Sequence, residues 1–169
     1  MILRPETPRD HDAVGEVHRL AFGRPHEARL VELIRASEHH VPGLSIVAEE
    51  EGKVVGHILF SYVWLEGAER AHVLSLAPMA VLPGRQRTGI GSALVRAALE
   101  EADARGAPLV VVLGHPSYYP RFGFEPALSY GIEPPWPGME AAFMVKPLSA
   151  YDAGCRGRVV YPPAFEAVS

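Results

Sequence analysis

Residues 71–105 read AHVLSLAPMAVLPGRQRTGIGSALVRAALEEADAR, and the reading of this stretch decides the fold. It divides into an apolar strand over 73–81, a short polar loop over 82–88 and a helix that opens at Gly89-Ile90-Gly91. Alternation places Val73, Ala77, Met79 and Val81 on one face of the strand and Leu74, Leu76 and Ala80 on the other. A strand apolar on both faces is expected at the centre of a covered sheet. Pro78 has no N–H for the ladder, so it predicts a bulge. In the helix, Ile90, Ala93, Leu94, Ala97 and Ala98 recur at helical spacing. Glycines in its first turn leave the backbone N–H groups unshielded, and such groups, aided by the helix dipole, bind phosphate.

Two glycines alone admit several readings. A dinucleotide fingerprint requires a third glycine where Leu94 stands, and a Walker loop requires a Gly-Lys pair that the stretch lacks. Gly89 and Gly91 could also serve only to let helix and strand pack closely. The run Gln86-Arg87-Thr88-Gly89-Ile90-Gly91, directly after Met79-Ala80-Val81-Leu82-Pro83, resembles the acetyl-CoA motif of the GNAT superfamily of N-acetyltransferases, Gln/Arg-x-x-Gly-x-Gly/Ala. Further along, Tyr119-Pro120-Arg121-Phe122-Gly123-Phe124 resembles the Tyr-x-x-x-Gly-Phe segment of that family. The two motifs stand in the family's order, separated by a helix and a strand, and the resemblance covers roughly residues 1–147.

The resemblance implies an α/β (α+β) fold with a mixed, mostly antiparallel central sheet and helices on both faces. It implies acetyl-CoA as cosubstrate and coenzyme A as product, with an amine of a small molecule or peptide as acceptor. The pyrophosphate would lie on Gln86, Arg87, Thr88, Gly89, Ile90, Gly91 and Ser92, and the pantetheine arm along Met79, Ala80 and Val81. That arm needs the sheet to open beside the central strand. Tyr119, four residues before Gly123, takes the position of the general acid that protonates the leaving thiolate, with Tyr118 expected to point elsewhere. Many members take the amine proton with a carboxylate on the central strand. Here that strand offers only His72 and Ser75, which leaves Glu27 on the second helix and His115 after the next strand as candidates. Either can equally be an ordinary surface or capping residue. No cysteine or serine nucleophile lies near either motif, which favours direct attack in a ternary complex. The missing strand carboxylate also admits a second reading, a protein that binds acyl-CoA as a sensor without turnover.

Around this unit the chain is expected to form a single domain. Its 169 residues, 48% of them hydrophobic, suffice for one core, and the net charge of −4 argues against a nucleic-acid partner. Cys155 is the one cysteine, so no intrachain disulfide can form, as expected in a reducing cytoplasm. No apolar run is long enough for a membrane span. Thr7-Pro8 marks a helix entry, followed by an apolar stripe of Ala13, Val14, Val17, Leu20 and Ala21. A second helix is expected over 26–37, with Leu30, Val31, Leu33 and Ile34 inward, and a turn at Pro42-Gly43. Strands at 44–48 and 53–64 flank the turn Glu50-Glu51-Gly52. Further strands are expected at 109–113, 124–128 and 142–145, with an edge strand at 159–161. The domain is thus expected to fill 1–169, with a core at about 1–147 and an extension from 148 to 169. The tail strand offers an edge for a homodimer or for self-capping. His39-His40 reads as a solvated helix end, and no metal site is expected.

Overall fold

The computed structural model describes residues 1–166. The chain begins with β1 (Ile2–Pro5) and a 3-10 turn over Pro8–Asp10, entered from Thr7. The Asp10 carboxylate accepts the Thr7 N–H at 2.8 Å and pairs with Arg4 at 2.7 Å, so the first helix begins on a fixed corner. Then come α1 (His11–Phe22), α2 (His26–Arg35), β2 (His40–Glu50) and β3 (Lys53–Glu66). Glu51 and Gly52, with φ of 50° and 77°, make the two-residue turn between β2 and β3, the left-handed pair that suits a right-twisted hairpin. The centre is β4 (Arg70–Val81), α3 (Ile90–Ala104) and β5 (Leu109–Leu113). Gly106, at φ 80°, ends α3, and Ala107 N–H closes onto the Ala102 carbonyl at 3.2 Å. Short strands β6 (Glu125–Pro126) and β7 (Ile132–Glu133) precede β8 (Phe143–Pro147), β9 (Gly157–Val160) and the single turn α4 (Pro163–Glu166).

The sheet runs β1-β2-β3-β4-β5-β8-β6, antiparallel except for the β4–β5 pair. β9 joins it beyond the end of β2, pairing antiparallel with Trp64–Glu66 of β3 and parallel with β7. One face is covered by α3, with Ile90, Leu94, Val95, Ala98 and Ala102 packed on Leu74, Leu76 and Val110. The other face carries α1 and α2 through Val14, Val31 and Ile34 against Val47 and Leu59.

Several sequence expectations shift. Opposite Leu59 of β3 stand two residues of β4, Ala77 and Pro78, so the Pro78 bulge is present. The extra residue turns the strand over. Met79 and Val81 join Leu74 and Leu76 on the α3 face, while Val73 packs on the opposite side. The face grouping expected from strict alternation is therefore wrong beyond the bulge. Pro42-Gly43 is a shifted segment of β2 rather than a turn. In α1 the buried residues are Val14, Val17 and His18, and Leu20 is 52% exposed. The strand expected over 124–128 shrinks to Glu125–Pro126 and gives way to a 3-10 turn at Ala127–Tyr130. β9 is no free edge, since its chain pairs it on both sides. His39 is buried against Trp64, with ring centroids 6.0 Å apart, and is not a solvated helix end.

Candidate active site

β4 and β5 are paired at two positions only among the described residues, Leu74 with Val110 and Ser75 with Val111. From Leu76 to Val81, β4 keeps its partner β3 and has none on the other side. The bulge bends the strand where this separation begins, leaving backbone groups of Met79, Ala80 and Val81 beside an opening in the sheet. The opening expected from the sequence is therefore built into the register.

The strand leads into an exposed loop whose shape is set by its own hydrogen bonds. Gln86 Nε2 donates to the Val81 carbonyl at 3.0 Å, and Thr88 Oγ1 donates to the Arg85 carbonyl at 2.6 Å. Arg85 is drawn away to Glu50 by a bond from Nε at 2.7 Å. Arg87 and Gly89 both adopt left-handed backbone, at φ 62° and 91°, and alternation of handedness here turns successive N–H groups toward one concavity. A side chain at Gly89 would meet nothing within 4 Å, and one at Gly91 would touch only Tyr118, Met79 and Val81 at 3.5–3.8 Å. Close packing therefore does not explain these glycines. That role belongs to Gly56 on β3, where a Cβ would come within 3.1 Å of both Ile90 and Leu94. Gly89 serves backbone shape, and the bare N-terminus of α3 faces a cleft of about 480 Å³ lined by Val81, Gln86, Arg87, Gly89, Gly91, Ser92, Tyr118 and Arg121. This cradle of N–H groups with two arginines fits a pyrophosphate.

Two of its walls were missed in the sequence. The Tyr118 hydroxyl lies 3.1 Å from Ser92 Oγ, and Arg121 stacks over the Tyr118 ring at 4.5 Å while donating to the Tyr118 carbonyl at 2.9 Å. Tyr118 thus faces the cradle, contrary to the expectation that it points elsewhere. The signal available was the repeated tyrosine followed by an arginine, Tyr118-Tyr119-Pro120-Arg121.

Of the three candidate chemical residues, His115 and Tyr119 share one turn, with the Tyr119 N–H 3.4 Å from the His115 carbonyl, and Glu27 lies on a different element, α2. Tyr119 is buried at the end of β5, its ring packed so tightly on Gly114 that a Cβ there would lie 2.5 Å away. Burial, with the neighbouring Tyr118, pushes its phenol up to about 12, so it carries its proton. Glu27 opens α2 and pairs with Arg24, Nε to Oε1 at 3.0 Å. Burial pushes its carboxyl up, but the Arg24 hydrogen bond, its own backbone N–H and nearby positive charge outweigh that and hold it below the usual range. His115 is exposed, and its carbonyl starts the turn by accepting the Tyr118 N–H at 3.0 Å. His72, its ring tilted against Trp64 with centroids 3.9 Å apart, sits at the far end of β4 beside a separate hollow of about 570 Å³ that shares no residue with the glycine loop. Ser75 is buried at the point of strand separation.

On the face away from α3, the tail supplies an aromatic row. Trp136 lies 5.7 Å from Tyr161, and Tyr161 lies 4.7 Å from Phe165. Burial pushes the Tyr161 phenol up to about 12, with the Ser75 hydroxyl acting in the opposite sense. Tyr130 stands apart from this row, hydrogen-bonding Glu125 and packing on Tyr151. Among the described residues no cluster of histidine, cysteine or carboxylates has metal-binding geometry, and no helix is long and apolar enough to cross a membrane.

Residues 11–124 match the model of the acetyltransferase (GNAT) family. The chain is 39% identical to YjhQ of Escherichia coli K12, named an uncharacterized N-acetyltransferase, over 155 residues that span 89% of this chain and 86% of that one. It is 36% identical to another, YhbS of the same organism, over 98% of both chains. The crystal structure of E. coli YhbS in complex with CoA has a TM-score of 0.88 and 34% identity, covering 98% of this chain and 91% of that one. A GNAT family acetyltransferase from Brucella melitensis in complex with acetyl-CoA has a TM-score of 0.80 and 34% identity, covering 97% of each.

Proposed function

The chain belongs to the GNAT family and is an acetyl-CoA-dependent N-acetyltransferase, and on that premise we propose that it passes the acetyl group directly to a primary amine held on the face of β4 opposite α3. The observation that carries this reading is the unpaired edge of β4 from Leu76 to Val81, running into the left-handed turn at Gly89. Acetyl-CoA supplies an activated acyl carbon and a thiol leaving group. Gln86 to Ser92, with Arg121 and Tyr118, hold its phosphates, and the backbone of Met79–Val81 pairs with its pantetheine amides. Tyr119, protonated and beside the end of β5, is the donor to the departing sulfur. His115, exposed and turned into the loop, is left as a backbone anchor. The acceptor lies among Trp136, Tyr161, Phe165 and the α1–α2 elbow, an apolar, aromatic lining suited to an amine with a flat or hydrocarbon body.

The whole chain, 1–169, acts as one transferase unit, supported by the placement of β9 within the sheet. A cytoplasmic setting suits the lone Cys155 and the cosubstrate. The test is calorimetric titration with acetyl-CoA followed by thiol release over a panel of aryl, alkyl and peptide amines. Saturable binding with turnover of at least one amine is expected. Absence of binding at millimolar acetyl-CoA overturns it. A sensor without turnover is the second reading, favoured by the lack of a carboxylate on β4 and the engagement of Glu27 by Arg24. Binding with no thiol release for any amine would select it.

A further inference from the structure

Beneath α1 runs a buried chain of polar groups that acetyl-CoA binding does not use. His18 Nε2 lies 2.8 Å from His57 Nδ1, His57 Nε2 lies 2.8 Å from Ser45 Oγ, and Ser45 Oγ donates to Glu6 Oε1 at 3.2 Å. Arg35 grips the Glu6 carboxylate with two bonds, at 3.2 and 2.7 Å. His18, His57 and Ser45 are at most 2% exposed. Burying this many polar groups is costly unless each is paired.

Direction in this chain follows from the carboxylate, which can only accept. Ser45 spends its one O–H on Glu6, so it accepts from His57 Nε2–H. His57 Nδ1 is then a lone pair and accepts from His18 Nε2–H. One lone pair is left over, at His18 Nδ1, which is buried and has no partner among the described residues. Here the network ends in a base whose tautomer is set by the Glu6 carboxylate three residues away along the chain of bonds.

We infer that His18 takes the proton given up by the acceptor amine, and that His57, Ser45 and Glu6 are positioning residues that hold its Nδ1 unprotonated. The inference rests on the amine-acetylation reading. His18 stands one turn before the end of α1, its ring stacked on Phe22 at 6.1 Å, and the elbow that follows leads to Glu27. Both α1 and α2 pack on β4, the strand with the open edge. Burial holds His18 down at about 4, with Glu27 opposing and Arg35 assisting. Burial, His18, Arg35 and His40 hold His57 well below 6.5. Both rings are therefore neutral at neutral pH.

In the step, the amine nitrogen bonds to the acetyl carbon, the C–S bond breaks with its electron pair on sulfur, and the nitrogen loses its proton to His18 Nδ1 through a bridging water beside Glu27. Nitrogen already bonding to an acyl carbon is far more acidic than a free ammonium, so a weakly basic imidazole suffices. The imidazolium keeps its Nε2–H on His57, with the Glu6 charge at the far end, and yields the proton to solvent after product leaves. This is the logic by which a buried carboxylate orients a catalytic histidine elsewhere.

The test combines 15N imidazole spectra of the full chain at pH 7 with acetyl-CoA titration and thiol release. Both rings should be neutral with the proton on Nε2. His18→Phe, which keeps the stack on Phe22, should lower kcat about 10²–10⁴-fold with acetyl-CoA affinity unchanged. Ser45→Ala should let the His57 and His18 tautomers scramble and shift the acid limb of the kcat/KM profile, while Ser45→Thr restores both. A wild-type spectrum with the proton on His18 Nδ1 overturns the inference, as does His18→Phe with wild-type kcat. Where His18→Phe fails to fold, an unaltered pH profile in Ser45→Ala overturns it instead. Acetyl-CoA binding without turnover of any amine removes the transfer reading and this proton step with it. Full turnover with the wrong tautomer removes this step alone.

Discussion

At the scale of single residues, backbone handedness and side-chain direction decide the cofactor end of the site. Gly89 sits at φ 91° with open space around its missing Cβ, so its role is conformational. Gly89→Val forces a β-branched residue into the left-handed region at a cost of about 1–2 kcal/mol and tilts the N–H groups away from the cleft. Acetyl-CoA affinity measured by calorimetry should fall at least tenfold, whereas Gly91→Ala, with contacts no tighter than 3.5 Å, should bind nearly as wild type. The adjacent tyrosines face different surroundings, Tyr118 beside Ser92 and Tyr119 buried. Tyr119→Phe should lower kcat by about 10²–10⁴-fold if its phenol protonates the sulfur, with cofactor binding little changed. Tyr118→Phe removes the hydroxyl 3.1 Å from Ser92 and should weaken acetyl-CoA binding severalfold with kcat retained. Steady-state kinetics with separate cofactor titrations distinguishes the two, and wild-type kcat in Tyr119→Phe assigns that residue to packing.

At the scale of elements, the start of α3 is aimed by its contact with β3. Gly56 lies under Ile90 and Leu94, both buried. Gly56→Val overpacks this contact and should cost about 1–3 kcal/mol, read as a lower urea midpoint. It should also weaken acetyl-CoA binding, because lifting the first turn of α3 moves the cradle away from β4. A loss of stability with unchanged affinity would mean the loop holds its shape without the helix. The Pro78 bulge acts at the same scale, since one extra residue moves Met79 and Val81 to the α3 face and separates β4 from β5.

At the scale of the whole molecule, the tail and the buried histidines matter for stability. β9 pairs with both β3 and β7 and buries Val159 completely. Deleting 148–169 strips these contacts, at about 2 kcal/mol for a buried valine alone, and should lower the melting temperature by 10 °C or more or abolish soluble expression. A tail that is a mere appendage would leave the melt unchanged. The histidines make folding pH-dependent. His18 is held at about 4, below its unfolded value near 6.5, so the unfolded chain binds more protons between these values and stability falls as pH drops from about 6.5 toward 4. For His18 the full loss is on the order of 3 kcal/mol. Urea melts from pH 7.5 to 4.5 should show this decline beginning near 6.5. In His18→Phe it should be smaller, leaving the contributions of His57 and the carboxylates.

The sequence by itself determined the glycine turn that opens α3, the bulge and the order of the main elements, because these depend on local chemistry. A glycine permits a left-handed turn, a proline breaks a ladder, and periodicity marks which stretches become helix or strand. It also carried the resemblance from which Tyr119 and the Gln86–Ser92 loop were read. Only the tertiary structure decided what those residues face. The turning of Tyr118 toward Ser92 follows from packing between segments far apart in the chain, and the pairing of Glu27 with Arg24, though local, needed the bend between α1 and α2. The chain from His18 to Glu6 joins α1, β3, β2 and the segment after β1. No spacing along the sequence announces it, because hydrogen-bond direction depends on which side chains meet, and that is settled only when sheet and helices close over one another.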